Sequence, residues 1–440
     1  MSFVLTEEQT SIKKTARDFA RERLSVTNLR RLRDERSASG FDREAWSALC
    51  ELGLAAVHLP ESCGGSGLGY AELGLVLEEL GANLAATPIL ASNVFAAELL
   101  RGARRAALDA VGSQGAASQG VASQTAARVA LLDKALGELC AGTSLFAVAH
   151  EERPRFAPHH ICTRLEVGPG GLRLSGEKSL VMDGHVADQL LVVARSWGAD
   201  QEPSGLSLVL VDAKAQGVAC TRLSTVDSRN HARLKFEDVA VAPEQVLTVA
   251  GEAGGVLEAA LARVTIALCA EMLGAALAVF DRTVQYLKER RQFGVPIGSF
   301  QALQHRAAQL FCELELSKSV VMQALRAIDA EDAVGQGAAQ SQAAAQSRTA
   351  AQSRTAAQSQ SAAEARAAAA AETQLLASVA KARLSTTYLL AAAEAVQMHG
   401  GVGVTDELDI GLFYKRARVC ELYFGDASYH QARFATLSGY

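Results

Sequence analysis

The sequence predicts a mainly α-helical protein with a β domain set between two helical ones. Two observations predict it. Apolar residues recur at helical spacing through residues 1–144, alternate at strand spacing through 145–250, and return to helical spacing over 251–440. A chain of 440 residues, 49% apolar and 21% charged, can also bury a core large enough for such an arrangement. The net charge of −5, with no clustered basic face, argues against a nucleic-acid partner.

In the first domain Thr6 and Gln9 stand three residues apart, as in a capping box, so a helix should start there and run to Leu24. Helical spacing resumes over 42–53 and 70–81, broken between them by the Pro- and Gly-rich loop 59–67. The stretch 82–100 is very apolar, but Asn83, Pro88 and Asn93 interrupt it, so no membrane span is expected. Residues 1–21 mix acids and bases without an apolar run, so no secretory leader is expected and the chain reads as cytoplasmic.

In the second domain, 172–176, 189–195, 206–211 and 232–241 read as strands of a small barrel or sandwich, with a hairpin turn at Gly168-Pro169-Gly170-Gly171. In the third, 256–287, 301–330, 373–399 and 426–436 read as helices. They are apolar on most faces, which suits the centre of a four-helix bundle or a face covered by another subunit.

Two segments stand apart from this core. Residues 112–127 are rich in Ser, Gln, Gly and Ala. In 335–371 the six residues Ala-Ala-Gln-Ser-Arg-Thr occur at 344–349, recur at 350–355 and degenerate over 356–361. With no large apolar side chain to bury, this stretch is expected to be a solvated insertion between two bundle helices, disordered or loosely helical because alanine favours helix. The eight cysteines are scattered, with no CxxC pair, and read as reduced thiols rather than a disulfide framework or zinc site.

The third domain carries the motifs. Glu289-Arg290-Arg291-Gln292-Phe293-Gly294 closes its first long helix and Gln301 follows. Gln397-Met398-His399-Gly400-Gly401 comes next, then Tyr423-Phe424-Gly425-Asp426. A guanidinium offers permanent, bidentate charge to phosphate oxygens. Paired glycines let backbone amides approach a phosphate. A dinucleotide fingerprint at Gly401-Val402-Gly403 fails on context, because a helical pattern precedes it. His399 reads as a packing or loop histidine, with no second ligand at metal spacing.

Together these motifs resemble the acyl-CoA dehydrogenase family of flavoproteins. The helix–strand–helix order and the loop Leu59-Pro60-Glu61 with Gly64-Gly65-Ser66-Gly67 are similar to that family as well. The resemblance covers nearly the whole chain outside the two low-complexity segments. It implies FAD as cofactor, an acyl-CoA substrate, electron-transfer flavoprotein as acceptor, and a homo- or hetero-oligomeric dimer or tetramer. It further implies that Arg290, with Gln292, Phe293 and Gln301, reaches the FAD pyrophosphate, often of a neighbouring subunit. Gln397, Gly400 and Gly401 would hold the adenosine end across the dimer.

The resemblance breaks where the chemistry lies. Most of the family has a glutamate between the tyrosine and glycine of the last motif. It removes the α-proton of the thioester while the β-hydrogen leaves as hydride to the flavin. Here that position is Phe424, which keeps a backbone N–H for the thioester carbonyl and has no carboxylate. Some members place the base on the long helix, at positions that fall on Val264 and Thr265, neither of them acidic. Glu271, Glu421 and Asp426 are the remaining carboxylates near the motifs, each with a structural reading beside the catalytic one. Asp426 stands where the family usually has a threonine contacting FAD. Arg263 matches the family's substrate-site arginine at a two-residue shift. In the middle domain, 150–156 replaces the family's Thr-Glu-Pro-Gly-x-Gly-Ser segment, and the usual tryptophan is replaced near Leu180.

This pattern is similar to a branch of the family found in bacterial breakdown of steroids, dicarboxylic acids and aromatics. There, heteromeric complexes include one subunit type without the base. Three readings follow: a dehydrogenase subunit whose activity belongs to a complex, a non-catalytic scaffold subunit, or a flavin monooxygenase on the same fold.

Overall fold

The first helix begins where its cap dictates. The Thr6 hydroxyl accepts from the Gln9 N–H and the Gln9 side chain accepts from the Thr6 N–H, both at 3.1 Å, so α1 (Glu7–Arg23) starts with these donors satisfied. α2 (Val26–Asp34), α3 (Arg43–Glu51) and α4 (Tyr70–Ala82) follow. The chain then winds as a buried π-helix over Leu90–Ala96 before α5 (Ala97–Ser113) and α6 (Gln119–Cys140). The structure, a computed structural model, describes residues 4–113, 119–248, 251–346 and 352–440. The segment 112–127, expected to stand outside the core, is thus helical on both sides of 114–118, which lie outside the described residues.

The β domain comprises β1 (Phe146–Ala149), β2 (Arg164–Gly168), β3 (Gly171–Met182), β4 (Gln189–Arg195), β5 (Leu206–Asp212), β6 (Val218–Ser224) and β7 (Asn230–Val241). β1 and β2 follow one another along one edge of β4, at 189–192 and at Arg195, while β5 pairs with β4 antiparallel. β2 and β3 form the expected hairpin, with Gly168 opposite Gly171. β3 continues to β7 through two register shifts, and β6 closes that end. These bulges bend the sheet. Inward residues of both halves, such as Leu190, Val192 and Val209 with Leu174, Leu234 and Phe236, therefore share one core. The other face of β4 and β5 (Leu191, Val193, Leu208, Leu210) joins the main helical core.

α7 (Ala253–Glu289) is apolar nearly all round because it is the central strut: α4 packs on it from the first domain, and α8 (Gln301–Gln346), α9 (Gln352–His399) and α10 (Ile410–Leu422) from its own. Its most apolar window, long and greasy enough for a bilayer, is 78% buried inside the protein. A short hairpin, β8 (Arg291–Gln292) and β9 (Val295–Pro296), joins α7 to α8, and α11 (Ala427–Leu437) lies against α9. α8 and α9 outrun the expected 301–330 and 373–399 because the Ala-rich insertion continues both helices, to 346 and from 352. Alanine costs least in a helix, so the extension needs no apolar face to persist. The repeat residues 347–351 lie outside the described residues.

Candidate functional site

Two groups of motif residues emerge. The first sits at the end of the bundle where α7 leaves and α9 arrives. Leu287, Ile297 and Met398 form a small apolar cluster, and the Tyr286 and His399 rings stack at 4.2 Å. This packing sets the β8–β9 hairpin beside the 397–403 turn. His399 donates from Nδ1 to the Ala395 carbonyl at 2.7 Å, the packing role expected of it. Arg290, Arg291, Gln292, Gln301 and Gln397 are all exposed, and among the described residues none of their side chains has a protein partner. A Cβ added to Gly400 or Gly401 would meet nothing within 4 Å, so this backbone faces open space. Phe293 is 90% exposed in a left-handed conformation (φ +54°), and Val404 is 74% exposed nearby. The Phe293 ring meets Phe300 edge-on at 6.1 Å.

The second group surrounds Phe424, the residue at the expected base position, which is only 3% exposed. Its φ of +55° is unfavourable for a side chain with a Cβ, by about 1–2 kcal/mol. Neighbours over-determine that conformation. Lys381, inside the bundle, donates to the Gly425 carbonyl at 2.8 Å and the Glu421 carbonyl at 2.9 Å, and His430 donates from Nε2 to the Phe424 carbonyl at 2.9 Å. Burial pushes the Lys381 ammonium down to about 8 and holds His430 neutral, at about 3. The ring meets Phe95 edge-on at 5.6 Å. Phe95 in turn meets His150, and His150 and Tyr429 both meet Phe156. The cavity lined by Phe424, Thr265, Phe156 and His430 measures about 30 Å³, and the one behind Tyr423 about 40 Å³. Each has room for only a few waters.

The carboxylates near the motifs are all engaged. Glu271 accepts from Arg416 at 2.7 and 3.0 Å, and Arg416 also reaches Asp227 at 2.8 Å, all buried. Arg229 stands 3.9 Å from Glu271 and donates to the Ala85 carbonyl. The Tyr423 hydroxyl lies 2.6 Å from Nε2 of His231, whose pKa burial lowers to about 4. Asp183, in the same pocket, is pushed up to about 7 by burial. Glu421 pairs with Arg418 at the surface at 2.7 Å, and Asp426 caps α11 by accepting from the Tyr429 N–H at 2.8 Å. Arg263 lies elsewhere, over the Tyr70 ring and paired with Glu98, Glu331 and Asp332 at 2.6–3.3 Å. The π-helix that presents Phe95 carries no local sequence signal. Neither do the Asp227–Arg416–Glu271 chain and the aromatic wall around Phe424, each of which unites residues from distant parts of the chain.

In the middle domain the 150–163 loop is held by Glu152, which accepts from the Cys162 and Thr163 N–H groups, the Thr163 hydroxyl and buried Lys178. Glu152, His160 and Cys162 bring possible metal ligands within 4.8 Å of one another. The carboxylate is saturated, however, and Arg153 lies 2.7 Å from His160 Nε2, so the cluster reads as a loop anchor. Leu180, where the tryptophan was expected, sits at a bulge of β3 with φ +52°.

A helical domain, a bent β domain and a long-helix bundle, with arginine and glycine motifs grouped at one bundle end, are the architecture the motif resemblance implies. Residues 6–108 match the acyl-CoA dehydrogenase N-terminal domain, and 254–358 and 336–435 match the C-terminal domain in two pieces that overlap within the Ala-rich insertion. The chain belongs to the acyl-CoA dehydrogenase family. Acyl-CoA dehydrogenase IpdE2 of Mycobacterium tuberculosis is 29% identical over 87% of this chain and 82% of its own length. Acyl-CoA dehydrogenase FadE27 of the same organism is 31% identical over 67% of this chain and 69% of its own. Among solved structures, the Tcur3481–Tcur3483 steroid ACAD G363A variant is 28% identical, with a TM-score of 0.72 and 98% of both chains covered.

Proposed function

We propose that this chain is a subunit of a cytoplasmic, FAD-dependent acyl-CoA dehydrogenase built from two chain types. In this reading it lends one half of the cofactor site, and a second chain supplies the base. The observation that carries the reading is Phe424: an apolar ring fills the expected base position within a loop that remains strained and heavily braced. Glu271, Glu421 and Asp426 do not compensate, because they are committed to an ion pair, a surface pair and a helix cap.

The FAD halves fit unequally. At the bundle end, the unpaired Arg290 and Arg291, the amides of Gln292, Gln301 and Gln397, and the open backbone at Gly400 and Gly401 suit a pyrophosphate and an adenosine. Beside Phe424, cavities of about 30 and 40 Å³ do not fit a tricyclic flavin ring or an acyl thioester. FAD supplies the redox capacity for desaturating adjacent carbons; this chain's residues bind and orient its phosphate end. The exposed Phe293 and Val404 beside that end support coverage by a partner chain. Likeness to a steroid ACAD whose name joins two proteins favours a steroid-derived or similarly bulky acyl-CoA, with electron-transfer flavoprotein as acceptor.

The test is co-expression with a related chain that retains the glutamate. The pair should co-purify with FAD, oxidise acyl-CoA, and lose flavin on Arg290→Ala in this chain. Full FAD occupancy and acyl-CoA oxidation by this chain alone would sink the proposal.

A further inference from the structure

Outside the site described above, two cysteines far apart in sequence meet beside a large cavity that Cys63 lines. That cavity, about 560 Å³, opens between α5, α6 and the start of α7, and Cys63, Arg101 and Leu136 are in its wall. Cys63 ends the tight turn Glu61–Cys63 and is partly exposed, whereas Cys140 is the last residue of α6 and is buried. The Cys140 thiol donates to Cys63 Sγ at 3.7 Å. The backbones are close as well, since a Cβ placed on Gly64 would lie 3.7 Å from Cys140 Cβ. We propose that Cys63 and Cys140 are a redox-active dithiol, with Cys63 the attacking sulfur and Cys140 the resolving one, that hydroperoxides convert to a disulfide.

The two sulfurs differ in the way such chemistry needs. The hydrogen bond from Cys140, helped by the Gly65 N–H and by Arg101, outweighs burial and draws the Cys63 thiol down to about 6, while the same contact and burial push Cys140 well up. Burial pushes the more exposed Cys162 and Cys220 up instead. Cys63 thiolate attacks one peroxide oxygen, the O–O bond breaks, and the sulfenic acid forms as an alcohol or water leaves. Cys140 then loses its proton and its sulfur attacks the Cys63 sulfur, expelling the hydroxyl as water. Two thiols are oxidised, one peroxide is reduced, and the sulfurs close by about 1.7 Å to the usual bond length of about 2.05 Å. The product ties the 59–67 loop to the helix that leads into the β domain, so the loop at the cavity mouth becomes fixed.

The full-length protein is exposed to hydrogen peroxide, alkylated while unfolding, digested without reductant and read by mass spectrometry. The expected product is a Cys63–Cys140 linked peptide that appears before Cys162, Cys220 or Cys312 loses its alkylation. Cys140→Ser should trap Cys63 as a sulfenic acid that dimedone captures, and Cys63→Ser should leave Cys140 alkylatable. The inference is overturned if Cys63 stays reduced after the exposed thiols have oxidised. It is equally overturned if Cys63 links to Cys50 or to another molecule instead, an outcome the wild-type protein alone can give.

Discussion

At the open end of the bundle, several polar side chains stand in solvent with no partner among the described residues. Around Phe424, Glu271, Asp227, Arg416 and Lys381 are partnered and His430 is held neutral. Arg290, Gln292, Gln301 and Gln397 are free to meet a ligand, whereas Glu271, Asp227, Arg416 and Lys381 are consumed by one another and by carbonyls. On the proposed reading, the contrast separates the half of the site that still binds from the half that does not. A binding surface kept for a ligand leaves hydrogen-bonding capacity unspent, because exposed groups lose nothing by waiting in water. An interior no longer shaped around a ligand must satisfy its own charges, because unpaired buried ones are expensive.

Acid should break the interior first and hardest. Burial depresses the imidazoles of His58, His150, His231 and His430 to about 4, 3, 4 and 3. Between those values and the unfolded 6.5, the unfolded chain takes up protons that the folded one refuses, so stability falls as pH drops through that window. Glu151 and Asp183, raised to about 7, act oppositely: their protonated forms favour folding below that pH and the gain fades as pH rises through it. The histidines outnumber them, so the net loss should reach about 3 kcal/mol per pH unit at most. Urea melts between pH 7 and pH 4.5 check the sign.

Arg416→Met should cost about 3–5 kcal/mol by leaving Glu271 and Asp227 buried without their main cationic partner. Restoring Glu271→Gln and Asp227→Asn in that background should return much of it. Thermal denaturation reads both. At the open end the effect should fall on the ligand alone: Arg290→Ala should weaken FAD binding in the assembled enzyme by about 10–100-fold, the worth of a charge-assisted phosphate contact, with an unchanged melting curve for the subunit without cofactor. Asp426→Ala should lose a helix cap and about 1 kcal/mol, without the collapse in flavin content expected of a direct cofactor ligand.

Much of the architecture was legible because its signals are local. The Thr6–Gln9 cap, the Gly168–Gly171 hairpin and the strand at 189–195 lie where spacing places them. The exposed end was legible for a related reason: Arg290 and Gly400–Gly401 sit in short motifs that work through backbone and charge. The interior was less so. Nothing around position 271 announces Arg416, and nothing around 424 announces Phe95, because those contacts join segments more than a hundred residues apart. The Ala-rich insertion misled in length, since low apolar content predicts a solvated segment and leaves open whether it is helical.

The measurement to make is an anaerobic absorbance titration with acyl-CoA of this protein mixed with FAD and free of other chains. The oxidised-flavin band should persist until a glutamate-bearing partner is added, and then bleach. Bleaching by the protein alone would contradict the proposal, and would mean that a base acts beside Phe424 after all.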